Sequence, residues 1–270
     1  MIRIGMSTSC VYPWSTERAF SVARRAGFDG VEVMATRDPG TRDARALTRL
    51  SDRFELPILS VHAPVLLLTP FVWGRDPRDK LTRSAELARE VGASTVVVHP
   101  PFRWQSRYAE EFADHVRATA SAFDVTVAVE NMFPWTVRGR TVPAYSPGWD
   151  PVDLDCDAVT LDFSHAALSG RDGLEMATEL GPRLRHIHLC DGPLLDENGT
   201  AFDEHLAPGE GSQPIAETLA WLAGAGWDGQ IVAEVNTRRL KDEDERVKLL
   251  RSTLEFARAH TAVATGRAAR

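Results

Sequence analysis

Ala26-Gly27-Phe28-Asp29-Gly30-Val31-Glu32-Val33 returns near the other end of the chain as Ala225-Gly226-Trp227-Asp228-Gly229, followed by Ile231-Val232-Ala233-Glu234-Val235. In each copy a glycine stands where a helix would end in the left-handed conformation. A tight turn follows, then a β-rich run with a glutamate near its close. Val91-Gly92-Ala93 is a weaker copy. Working outward from these units, strands are expected at Ile2–Met6, Gly30–Met34, Ile58–His62, Thr95–His99, Thr126–Glu130, Ala158–Asp162, Arg185–Leu189 and Gln230–Val235. The stretches between carry apolar residues at helical spacing, as in Arg78–Glu90 and Ala109–Phe123. Strand and helix in alternation signal a parallel sheet. Eight strands permit a closed barrel or an open doubly wound sheet. No GxGxxG follows the first strand, so the open dinucleotide-binding sheet lacks its best marker. The expected fold is α/β, a single (β/α)8 TIM barrel.

The 270 residues suit one such barrel over 1–260, with the small and basic residues 261–270 expected to form a flexible tail. One irregularity is expected after the fifth strand. Asn131–Asp157 is rich in Pro, Gly and Trp and poor in helical period, so a loop replaces or shortens the helix there. Composition is ordinary for a soluble globular protein, 43% hydrophobic and 26% charged. The start has no signal-peptide pattern and no apolar run is long enough to span a bilayer, so the expectation is a cytoplasmic protein without a membrane role. Cys10, Cys156 and Cys190 form no CxxC pair, which argues against a disulfide framework or a thiolate zinc site. A net charge of −7 gives no electrostatic help toward nucleic acid.

The chemistry-bearing residues fall where strands end. His62 closes Ser60-Val61-His62, His99 closes Val98-His99, and Glu130 closes Val129-Glu130-Asn131. Asp162 and His165 lie in Leu161-Asp162-Phe163-Ser164-His165, His188 in His186-Ile187-His188, and Glu234 in Val232-Ala233-Glu234. In a TIM barrel all these ends open onto one face. One such residue alone would be read as a cap. Six strands ending this way would crowd carboxylates into one mouth, where like charges repel unless a cation offsets them. Mixed carboxylate and imidazole donors point to a divalent metal, Mn, Zn, Co or Fe, more than to calcium.

With these motifs, and with Gly27-Phe28-Asp29-Gly30-Val31-Glu32, Cys190-Asp191 and Pro208-Gly209-Glu210-Gly211, nearly the whole chain resembles the xylose-isomerase-like TIM-barrel superfamily. That superfamily contains sugar isomerases, epimerases and dehydratases, and also endonuclease IV. In its sugar-converting members the resemblance implies one metal on Glu130, Asp162, His188 and Glu234, with Glu130 and Glu234 also catalytic. His62, His99 and His165 would contact substrate. The implied activity is a metal-dependent isomerase or epimerase of a small sugar, sugar phosphate or polyol, working through an enediolate. Endonuclease IV implies an alternative, a multi-zinc phosphodiesterase. Its three ions would sit on His62, His99 and Glu130; on Glu130, Asp162, His188 and Glu234; and on His165, Asp203 and His205. A non-catalytic metal-binding barrel is the third reading. Many members carry a basic residue before the histidine of the Pro-Gly-Glu-Gly loop; Glu204 stands there here.

Partner expectations are a small-molecule substrate and no nucleic acid, with the oligomeric state left open. Trp14, Trp73, Trp104, Trp135 and Trp149 fall in loops after strands, where aromatic faces can stack on sugar rings or simply pack the loops. Trp104 is a candidate substrate contact, and Arg103 beside it a candidate for anion recognition or a surface ion pair. Glu32 is expected to reach the pocket or to support a histidine from behind. Asp191 is expected to fix a loop, and Gly209-Glu210-Gly211 to be a turn opening the next helix.

Overall fold

The computed structural model describes residues 2–64, 71–137, 140–193 and 202–262. Eight parallel strands close into a barrel: β1 (Arg3–Ser7), β2 (Gly30–Met34), β3 (Ile58–His62), β4 (Thr95–Val98), β5 (Thr126–Glu130), β8 (Val159–Asp162), β9 (Leu184–Leu189) and β10 (Gln230–Ala233). Closure is made by β1 on β10, with Arg3 opposite Gln230 and Met6 opposite Ala233. The strands are buried almost throughout, which is why they read as apolar runs without alternation.

The outer ring comprises α1 (Thr16–Ala26), α2 (Ala44–Phe54), α3 (Pro77–Val91), α4 (Ser106–Phe123), the short α5 (Phe163–Leu168) with α6 (Gly173–Leu180), α7 (Ile215–Gly224) and α8 (Glu243–Thr261). Caps fix where they start: Ser15, Asp43 and Asp76 each accept a backbone N–H of the first turn of α1, α2 and α3. The repeated glycine has its physical cause in the turn. Gly27 and Gly226 adopt φ of +97° and +70°, where a side chain would strain the backbone. The aspartate that follows locks the first copy, because Ile4 N–H donates to Asp29 at 2.9 Å.

No α-helix forms between Asn131 and Asp157 among the described residues. The segment holds an antiparallel pair, β6 (Trp135–Val137) and β7 (Arg140–Val142), and a 3-10 turn at Pro151–Asp153. It folds back on the loop after β4. Arg103 N–H donates to Ala144 O at 2.9 Å and Ser146 N–H to Pro101 O at 2.8 Å. Phe102, Met132, Ala144 and Tyr145 thereby form a small apolar cluster separate from the main core, raised beside the barrel mouth. No described helix is long and apolar enough to cross a membrane. Of the expected tail, residues 263–270 lie outside the described residues.

Candidate active site

Strand polarity carries Glu130 (β5), Asp162 (β8), His188 (β9) and Glu234 (just past β10) to one point at the barrel mouth. All four are buried, and their donor atoms lie within 4.8 Å of one another. His188 is the hub. Its Nδ1 is 3.0 Å from Glu130 Oε1, 2.9 Å from Glu234 Oε2 and 3.7 Å from Asp162 Oδ2. Its Nε2 points the opposite way, 3.2 Å from Glu32 Oε1. Ser60 Oγ donates to the other oxygen of Glu32 at 2.8 Å, and His186 approaches it at 3.3 Å. Glu32 thus supports His188 from within the barrel.

Glu130 is ringed by imidazoles. His62 Nε2 is at 3.2 Å, His99 Nε2 at 2.9 Å and His165 Nδ1 at 3.3 Å, besides His188. Burial alone would raise the Glu130 carboxyl, but His188 and His99 hold it well below the usual range. Burial would likewise lower His188, yet Glu234, Glu130 and Glu32 hold its imidazole well above its ordinary value. Glu234, exposed to His188, His205 and His62, is pulled down against its burial to about 2. A site that forces a buried imidazole to carry a proton against three carboxylates is a site where a divalent cation can replace that proton. Three oxygen donors and one nitrogen fit such an ion.

Asp162 has a second duty. Its Oδ1 caps α5 by accepting His165 N–H at 2.8 Å, and Asn131 brackets its backbone, accepting from Asp162 N at 2.6 Å and donating to Asp162 O at 3.0 Å. Beside it Asp203 sits between two imidazoles, with His165 Nε2 3.2 Å from Oδ2 and His205 Nε2 3.1 Å from Oδ1; Ser164 Oγ donates to it at 2.8 Å. His205 holds a left-handed φ of +46° and turns Nδ1 onto Glu234 O at 2.9 Å. The nine residues that the endonuclease IV resemblance implies as ion ligands therefore meet in one mouth. Asp191 fixes the loop that brings His205 there, accepting from the backbone N–H groups of Gly192, Gly209, Gly211 and Gln213.

A cavity of about 460 Å³ opens over these groups. One wall is apolar: Phe102, Met132, Phe133, Trp135 and Tyr145. Arg103 and Trp104 do not line it. Both are exposed, Trp104 stacking on the outer side of Phe102 with ring centroids 4.4 Å apart. The chain turns at Arg103 and Trp104, and among residues 101–105 it is Phe102 that lines the cavity. Trp135 is the loop tryptophan that reaches this cavity; Trp14 packs instead between the guanidinium groups of Arg18 and Arg246. The sequence reading passed over Ser9, whose Oγ donates to Glu234 Oε1 at 2.9 Å, and Arg238, which lines the cavity rim. Ser9 lies two residues past β1 and Arg238 four past Glu234, so their position after strand ends was the available signal. Glu204, in the place of the expected basic residue, pairs with Arg239 at 2.8 Å.

The chain is similar to known proteins over nearly its whole length. An uncharacterized protein of Mycobacterium tuberculosis is 46% identical, the match covering 96% of this chain and 98% of that one. The fructoselysine 3-epimerase of Escherichia coli is 21% identical over 89% of this chain and 93% of its own. A solved D-tagatose 3-epimerase-like protein superposes with a TM-score of 0.67 at 26% identity, covering 97% of this chain and all of that one. Residues 20–260 match the family of xylose isomerase-like TIM barrels, and this chain belongs to it.

Proposed function

We propose that the protein is a metal-dependent epimerase or isomerase of a small sugar or polyol. The observation that carries this is the convergence of Glu130, Asp162 and Glu234 on Nδ1 of His188 at the floor of a cavity sized for a small molecule. Likeness to proteins named as sugar epimerases supports it. A divalent cation held by these four residues would polarise a substrate carbonyl and acidify the adjoining C–H. Of the two glutamates, one takes the proton from carbon and the other returns a proton to the opposite face or to the neighbouring carbon. Glu234 stands at the mouth with Ser9 as its hydroxyl donor, and Glu130 deeper among four imidazoles. His62, His99 and His165 orient substrate hydroxyls and oppose the negative charge of the enediolate. Phe133, Trp135 and Tyr145 cover the apolar face of the sugar and exclude water.

The test is solvent exchange. Ketoses, aldoses and keto-inositols, incubated with the manganese-loaded protein in deuterated water, are expected to take up deuterium at a carbon next to the carbonyl. A second reading has its own observation. Asp203 lies within 3.2 Å of both His165 and His205, the arrangement a second or third ion would use. Three bound ions per chain, cleavage of abasic-site duplex DNA at nanomolar protein and no exchange on any sugar would establish the phosphodiesterase in place of the epimerase. The net charge of −7 counts against the DNA substrate.

A further inference from the structure

A second cavity, of about 720 Å³, adjoins the first between the loops that follow β1 and β2. The two share Ser9, Met34 and Arg238 in their walls, so they are neighbours across these three residues, on the side of the first cavity that Ser9 and Glu234 line. The first cavity alone is within the range, about 300–1,000 Å³, that houses a small ligand. A free monosaccharide over the metal ligands would leave the second cavity to water.

The chemistry of that space is unlike the first. Several of its hydroxyls already bond within the protein. Thr8 Oγ1 accepts Met34 N–H, Thr16 Oγ1 donates to Asp38, Thr41 Oγ1 donates to Asp38 O, and Ser15 caps α1. Its one carboxylate, Asp38, is occupied too, accepting from Thr16 Oγ1 at 2.7 Å and from Gly40 N–H at 2.9 Å. The rest of the lining includes Tyr12, Pro13, Trp14 and Met34, with two cationic residues, Arg37 and Arg238. Among the described residues neither arginine has a carboxylate within ion-pair distance. Arg238 lies over the Tyr12 ring at 4.7 Å. The wall is rigid. Trp14 is clamped between Arg18 at 3.5 Å and the buried Arg246 at 3.9 Å, and Arg246 is fixed by Leu240 O and Val11 O.

We propose that this cavity is the subsite for the non-reacting half of the substrate, and that the substrate is a sugar joined to a flat or apolar group ending in an oxyanion. Tyr12, Pro13 and Met34 would cover the apolar body and Arg238, with Arg37, would meet the oxyanion. This rests on the sugar-epimerase reading and names its substrate class. Carboxylate and phosphate share the recognition chemistry, and the probes separate them.

The experiment uses the full-length, manganese-loaded protein and D-fructose, its 1-(4-carboxyphenylamino)-1-deoxy and 6-O-(4-carboxyphenyl) derivatives, the 4-phosphonophenyl counterparts and the neutral 4-carbamoylphenyl counterparts. Binding is read by calorimetry and reaction by deuterium exchange. At least one anionic conjugate is expected to bind about tenfold tighter than fructose and its neutral counterpart, the gain typical of a charge-assisted contact. Arg238→Ala is expected to erase that ratio through KM and not kcat, and Arg238→Lys to restore part of it. Conjugates that bind no tighter than fructose, or a ratio unmoved by both Arg238→Ala and the Arg37→Ala, Arg238→Ala pair, overturn the subsite. Tight, arginine-dependent binding without exchange on any sugar sustains the subsite and overturns the epimerase reading, so the two failures are distinct.

Discussion

Glu32 Oε1 lies 3.2 Å from Nε2 of His188, on the side of the ring away from Glu130, Asp162 and Glu234. The ring therefore has two faces with different duties. A carboxylate at Nε2 keeps a proton there and leaves the Nδ1 lone pair for an ion. Since Glu32 comes from β2 and His188 from β9, the contact crosses the barrel interior, and the barrel closure itself orients His188. Ser60, one strand further, holds Glu32 in turn.

Glu32→Gln should therefore act without touching the cavity. Glu32 is fully buried and lies beneath the site. Metal affinity is expected to fall about 10–100-fold, as for other carboxylates that orient a histidine ligand. Competition with a chromogenic chelator measures this, alongside circular dichroism to show an intact barrel. An unchanged affinity would remove Glu32 from the support of His188.

Glu234→Gln acts on the ligand itself. Glu234 sits one residue past β10 at the mouth, so the fold should survive. Loss of one anionic donor of four should weaken metal binding, and turnover should fall below detection even at saturating manganese, because the carboxylate proposed to move the proton is gone. Activity that saturating metal restores would leave Glu234 as ligand only.

The titration of the site gives a third expectation. His188 is held above its ordinary value, so its imidazolium stabilises the metal-free fold fully below pH ~6.5 and that contribution fades as pH rises through the raised value. Glu130 and Glu32 are held below theirs, so their contribution is present above pH ~4.5 and fades as pH falls through the depressed values. Metal-free Tm should therefore decline on both sides of that window. Bound zinc or manganese takes the place of the proton, so apparent metal affinity should rise with pH and the alkaline decline should vanish. Thermal melts from pH 4 to 9, with metal and after chelation, check the sign. A metal-loaded protein that declines in parallel with the metal-free one would contradict it.

Much of this was legible before any coordinates. The eight strands follow from runs such as Thr95–Val98, buried on both faces, and from a Gly-turn-strand unit that occurs at both ends of the chain. The gathering of carboxylates and histidines at the mouth followed because strand ends in a barrel share one face. Asp203 and His205 were harder, being on a loop whose alignment the sequence does not fix; the four N–H groups collected by Asp191 are what place them. The aromatic wall was not legible. Phe102 meets Tyr145 only because the segment after β5 doubles back on the loop after β4, and such pairings leave no period. Residue type alone favoured Trp104 and Arg103, whereas orientation selected Phe102.

That dependence on Asp191 can be tested directly. Its two carboxylate oxygens accept from Gly192 and Gln213 at 2.9 and 3.1 Å, and from Gly209 and Gly211 at 2.9 and 3.0 Å. Its backbone pairs in both directions with Leu206, next to His205. Asp191→Ala removes one buried acceptor group shared by four backbone donors, and should cost about 2–4 kcal/mol of stability. Asp191→Asn keeps one oxygen and should cost less, because a single amide oxygen can still serve two of the four donors. If the loop is what holds His205 against Glu234, both variants should also raise the KM for sugar or weaken metal binding more than an equally destabilising core change such as Leu161→Ala does. Urea melts give the first quantity and metal titration the second. Equal metal affinity in Asp191→Ala and Leu161→Ala, at matched stability, would show that the loop is braced for the fold and not for the site.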